Sequence, residues 1–197
     1  MQQPEIDIES LKKDENFIAD MKKFEDEMYG QKSIEKGYML LGTKMAIQAS
    51  EDEINDIFTF IVGQAFDVLA ENLTQHKGFN ITNPEELATA RAIYEHGIQR
   101  YSENDIKGAK EIFLVLHHTI EDDDLKDSMM IHACAVMAGH SFDDFIEKLA
   151  DTSDIDENSP IAFFIQDFVQ PRDILLQMFA KYVKLGKSDL KVLEDNK

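Results

Sequence analysis

The chain has 197 residues, of which 39 are acidic and 20 basic, giving a formal net charge of −19; 43% are hydrophobic and one is cysteine. That apolar content can fill the core of one domain, or of one domain with an appendage. The charge argues against a nucleic-acid binder, which needs clustered Lys and Arg to displace counterions from phosphates, and against docking on an anionic membrane. Residues 1–9 carry no periodic apolar pattern and read as disordered. A helix is predicted over 10–30, with Ser10 as its cap and Gly30 as a left-handed end. Inside it Phe17, Met21, Phe24 and Met28 form a narrow seam suited to a partner helix, in the same chain or in a second copy. A weaker helix follows over 33–48, its propensity lowered by Gly37 and Gly42.

The run Ser50-Glu51-Asp52-Glu53 is a capping box, and the broad apolar stripe after it, from Ile54 through Ile57, Ile61, Ala65 and Leu69 to Leu73, predicts a long helix closed at Lys77-Gly78. Asn83-Pro84-Glu85-Glu86 opens the next one: a cap, a proline that loses no helical hydrogen bond at the first position, and two acids facing the positive helix end. From there short paired helices are expected at 84–102, 105–119, 124–138, 142–151, 160–169 and 172–186, with a tail helix near 188–194. No alternating β pattern competes. The expected fold is all-α, with an N-terminal extension over 1–49 and a helical-repeat domain over 50–197.

Residues 90–123 span 34 positions, the tetratricopeptide period. Gly97 and Ala109 fall at the eighth and twentieth positions, where two helices cross and small residues are needed. A second unit around Ala133-Cys134, Gly139 and Phe142 fits with one inserted residue, and places Phe145 where a small residue is usual. A third unit opens at Pro160, and Pro171 cuts its first helix short.

Charge is uneven along the chain. Residues 120–160 hold 12 acids and 2 bases, whereas 161–197 hold 5 and 6. Solvated inter-helix loops explain this; an acidic rim that steers a basic or amphipathic partner is the sharper alternative.

Enzymatic chemistry has little footing. His117-His118 followed by Asp122, Asp123 and Asp124 suggests a metal hydrolase, but adjacent helical positions point about 100° apart. The acidic run over 151–157 lacks the Gly and the bidentate Glu of a calcium loop. No phosphate-binding glycine loop or nucleophile signature occurs, no cofactor is implied, and Cys134 reads as a buried, inert thiol. One unpaired thiol, no leader-like N-terminus and no apolar run of membrane-spanning length point to a cytoplasmic protein.

Ile93-Tyr94 followed by Gly97 and Tyr101, then Ala109, Ile112, Phe113 and Leu116 before an acidic turn, then Ala133-Cys134 and Gly139, give residues 75–186 a resemblance to a known family. They are similar to the class II chaperones of type III secretion translocators (the SycD, LcrH and IpgC type). The resemblance implies a non-enzymatic bacterial cytosolic chaperone that keeps a hydrophobic translocator soluble, without nucleic acid or membrane insertion. It also implies a homodimer through N-terminal helices, with Phe17, Met21, Phe24 and Met28 as the contact, and an extended translocator segment held in the concave face of the repeats. Carried over by repeat position, the groove residues are Arg91, Tyr94, Ile98 and Tyr101 in the first unit, Met129, Ala133, Val136 and Met137 in the second, and Phe164 and Phe168 in the third. The tyrosines would offer an apolar face and a hydroxyl for peptide backbone. Inter-repeat core is the competing role for these residues. A general adaptor joining soluble proteins, or a helical metal-dependent hydrolase, are the alternative functions.

Overall fold

A computed structural model describes residues 8–153, 155–156 and 158–194. It is all-α and repeat-like: ten helices and no strand occur among the described residues. None of these helices is long and apolar enough to cross a membrane. The chain forms two compact units, Met1–Asp67 and Val68–Lys197, which divide inside α4 rather than at the 49/50 boundary expected from sequence.

The first unit holds α1 (Ile8–Leu11), α2 (Glu15–Gln31), α3 (Ile34–Ala46) and the start of α4 (Glu51–Gln75). One helix over 10–30 was expected. Instead the Asp14 carboxylate accepts the N–H groups of Asn16 and Phe17 and starts α2 afresh. Ile8 and Glu9 lie in α1; the disorder expected over 1–7 falls outside the described residues. Helix α2 runs past Gly30 to a left-handed Lys32 at φ 54°, whose N–H bonds back to the end of the helix. Ser33 then caps α3 through the Lys36 N–H. Met28, Ile34, Leu40, Ile57, Ile61 and Ala65 form this unit's core. The capping box of α4 is in place: Ser50 Oγ accepts the Glu53 N–H, and the Glu53 carboxylate accepts the Ser50 N–H.

In the second unit, α5 (Pro84–Ser102) packs on α6 (Ile106–Thr119), α6 packs on α7 (Asp123–Ala138), and the short α8 (Phe142–Lys148) meets α5. Asn83 caps α5, Asp105 caps α6, Asp122 caps α7 and Ser141 caps α8, each through its side-chain oxygen. Many of the acids in the 120–160 stretch thus sit at helix N-termini, where the backbone dipole favours them. Gly97 is at the α5–α6 crossing as its repeat position predicts. A Cβ there would lie 2.8 Å from Ile112 and 3.1 Å from Phe113. Helix α7 is the centre of the unit and is buried along most of its length. It packs on α6, on α9 (Arg172–Met178) and on α10 (Ala180–Glu194). At Gly186 of α10 an added Cβ would meet Leu114 and Met130, so the two helical layers approach closely there.

The expected helix over 160–169 does not form. Residues 159–164 make turns and bends, and after 165–167 Phe168 pairs with Ala150 in an isolated antiparallel bridge. The segment is short, bounded by Pro160 and Pro171, and rich in Phe, Ile and Val, whose side chains lose rotamer freedom in a helix. Position 170 precedes a proline, which biases it to extended backbone.

Candidate functional site

The candidate site is built around a strap, residues 159–168, that lies against α5 and α7. Tyr94 on α5 is 2% exposed and fully engaged. Its hydroxyl accepts the backbone N–H of Ile165 at 3.0 Å and lies 3.2 Å from His132 Nε2. His132 Nδ1 is 2.7 Å from the Ser128 carbonyl, which only accepts, so Nδ1 carries the proton and Nε2 accepts from Tyr94. The result is a continuous chain: Ile165 N–H to Tyr94 O–H to His132 to Ser128 carbonyl. Bonds in such a chain polarise one another inside a low-dielectric interior. Burial drops the His132 pKa to about 4, so the ring is neutral and the relay holds at ordinary pH. Burial likewise holds the Tyr94 hydroxyl in its protonated form.

Aromatic rings surround this chain. Phe164 of the strap is buried and meets the Tyr94 ring edge-on with centroids 4.9 Å apart. Phe113 of α6, Phe145 of α8 and Phe168 of the strap lie 5.0, 4.6 and 6.2 Å from His132. Phe145, at a position expected to need a small residue, is fully buried and fills the space beside His132 and Tyr101. Arg91, one turn before Tyr94, lies over the Phe163 ring at 4.7 Å and pairs with Glu95 at 2.8 Å. At the strap's far end Asp151 N–H bonds to the Asp167 carbonyl and Val169 N–H to the Leu149 carbonyl. Arg172 pairs with Asp124 of α7 at 2.8 Å.

The sequence-derived groove residues therefore separate. Arg91 and Tyr94 face the strap. Phe164 and Phe168 belong to that segment and not to a lining helix, because the helix meant to carry them is absent. Tyr101 is core: its hydroxyl donates to the carbonyl of His140 at 2.9 Å and holds the α7–α8 turn. Met129, Ala133 and Val136 are also core, because α7 is covered by α6, α9 and α10. Ile98 and Met137 are half-buried, and Met137 lies near Gly186 of α10. Among the seam residues Met28 is buried inside the first unit, while Phe17, Met21 and Phe24 are half-buried. His132, expected with His140 to be a turn or groove polar group, is fully buried in α7; its spacing of four from Ser128 on an otherwise apolar helix was the available signal.

The remaining polar candidates are locally engaged. His117 Nδ1–H donates to the Lys126 carbonyl at 2.8 Å. Asp151 accepts from Ser153, and Asp156 from Asn158; Asp154 and Glu157 fall outside the described residues. Cys134 is buried, and burial raises its thiol pKa to about 12. No protein-family model, curated protein or solved structure matches this chain.

Proposed function

We propose that this chain is a non-enzymatic binding protein of the secretion-chaperone type, which holds an extended apolar segment of a hydrophobic translocator in the bacterial cytosol. The observation that carries this reading is the α5–α7 face itself. It receives a backbone N–H through the Tyr94 hydroxyl and aromatic side chains through Arg91, Tyr94 and the rings around His132. This is the division of labour expected of a peptide groove, where main-chain bonds give affinity and side-chain pockets give selectivity. The high net negative charge keeps such a surface dispersed and disfavours acidic competitors. Co-expression tests the reading. A membrane-active translocator that aggregates alone stays in the soluble fraction with this chain; if it pellets in equal amount with and without the chain, the chaperone reading fails.

A further inference from the structure

We propose that residues 159–166 are a displaceable occupant of the α5–α7 face. The partner segment that replaces them presents two consecutive aromatic residues followed by a residue other than proline. This rests on the peptide-groove reading and specifies its ligand.

The attachment of the strap is the first argument. Among the described residues, the backbone of 159–166 is tied to the rest of the unit by the Ile165 N–H to Tyr94 bond at 3.0 Å and by two long bonds that the Gln166 carbonyl accepts, from Ser128 Oγ at 3.5 Å and Arg172 Nη1 at 3.4 Å. Its other backbone bonds are local: Ala162 N–H to the Ser159 carbonyl and Phe164 N–H to the Ile161 carbonyl. A segment held by few long-range bonds belongs to the low-stability end of a native structure and opens without the helices unfolding. The helices do not depend on the strap for their own ladders or caps, since α5, α6, α7 and α8 all start from side chains outside it.

The second argument is the fit. The strap's three contacts define what any occupant must supply. One ring lies under the Arg91 guanidinium, as Phe163 does. The next ring packs edge-on to Tyr94, as Phe164 does. The following residue must carry a backbone N–H for the Tyr94 hydroxyl, as Ile165 does; proline has none. The strap is pinned at its C-terminal end by the paired backbone at 150 and 168. It therefore lifts from a fixed point at 167–169, where Asp151 N–H and Val169 N–H hold the paired backbone.

The third argument is thermodynamic. An occupant on the same chain competes at high effective concentration, so a partner's apparent affinity is reduced by the fraction of molecules whose strap is lifted. Weakening the strap without touching the face must tighten binding in trans.

A fluorescently labelled peptide spanning residues 158–170 is titrated into the full chain by fluorescence anisotropy. Phe164→Ala in the full chain is expected to bind it at least tenfold more tightly than the wild type. The same peptide with proline at the position of Ile165 is expected to bind neither protein. Equal binding by the variant and the wild type, or undiminished binding of the proline peptide, overturns the proposal. Hydrogen exchange on the wild-type chain decides independently should the variant fail to fold. The Ile165 amide is expected to exchange at least a hundredfold faster than those of Ala92 in α5 and Ile131 in α7; equal rates make the strap part of the core and overturn the proposal. Loss of the chaperone reading is a separate result: the strap lifts and takes the peptide, yet no translocator is kept soluble.

Discussion

Tyr94→Phe isolates the hydroxyl on which the site turns. The substitution keeps the ring, and so keeps the packing against Phe164 and Phe113. It removes the acceptor for the Ile165 N–H and the donor to His132 Nε2. His132 is fully buried, and its orphaned nitrogen bears a desolvation penalty of about 1–3 kcal/mol on top of about 1 kcal/mol for the lost bond. The expected destabilisation is about 2–4 kcal/mol, which lowers a urea midpoint by about 1–2 M for a protein with a slope of about 2–3 kcal/mol/M. Amide exchange at Ile165 should accelerate in parallel. A loss below about 0.5 kcal/mol with unchanged exchange at Ile165 would refute the relay. Tyr94→Ala is less informative, because it also opens a cavity costing about 3–5 kcal/mol whatever the hydroxyl does.

Three further outcomes follow from named contacts. His132 titrates at about 4 in the fold against 6.5 ordinarily, so the unfolded chain binds the extra proton between those values. Stability is therefore full above pH 6.5 and falls by about 3 kcal/mol as the pH drops to about 4; urea unfolding across that window should show the loss in wild type and lack it in His132→Gln. Gly97→Ala puts a Cβ 2.8 Å from Ile112, and overpacking of about 1–3 kcal/mol outweighs the roughly 1 kcal/mol gained in helix propensity; thermal unfolding should shift downward, and an upward shift would contradict the crossing geometry. Asn83→Ala strips the cap from the Glu85 and Glu86 N–H groups and should cost about 1 kcal/mol, read by chemical denaturation.

Much of the fold is legible because its signals are local. The Ser50–Glu53 box, Asn83-Pro84 and the Gly97–Ala109 pair each state their geometry within one or two helical turns. Where two local signals compete, the outcome depends on atoms that sequence does not display. Asp14 caps α2 through the Asn16 and Phe17 N–H groups while Ser10 lies inside α1, and Lys32 ends α2 in the left-handed region in place of Gly30. The strap was hardest to read. Ile161 to Val169 is apolar at helical and extended spacings alike, and only its surroundings decide. The same holds for the candidate site. Repeat position puts Arg91 and Tyr94 on one side of α5, and in the structure both meet the strap. It could not show that α7 would be covered on several sides, or that Phe164 and Phe168 would come from the occupant and not from the wall.

The central claim is that a partner's extended segment binds the α5–α7 face where residues 159–166 now lie. Photo-crosslinking from position 91 tests it directly, since Arg91 contacts the strap ring at 4.7 Å. The full chain carrying Arg91→p-benzoylphenylalanine is co-purified with a translocator, irradiated and mapped by mass spectrometry. The account predicts crosslinks on the translocator, with those to residues 159–166 of the same chain diminished relative to the protein alone. A stable complex in which every crosslink from position 91 still falls on residues 159–166 would contradict it.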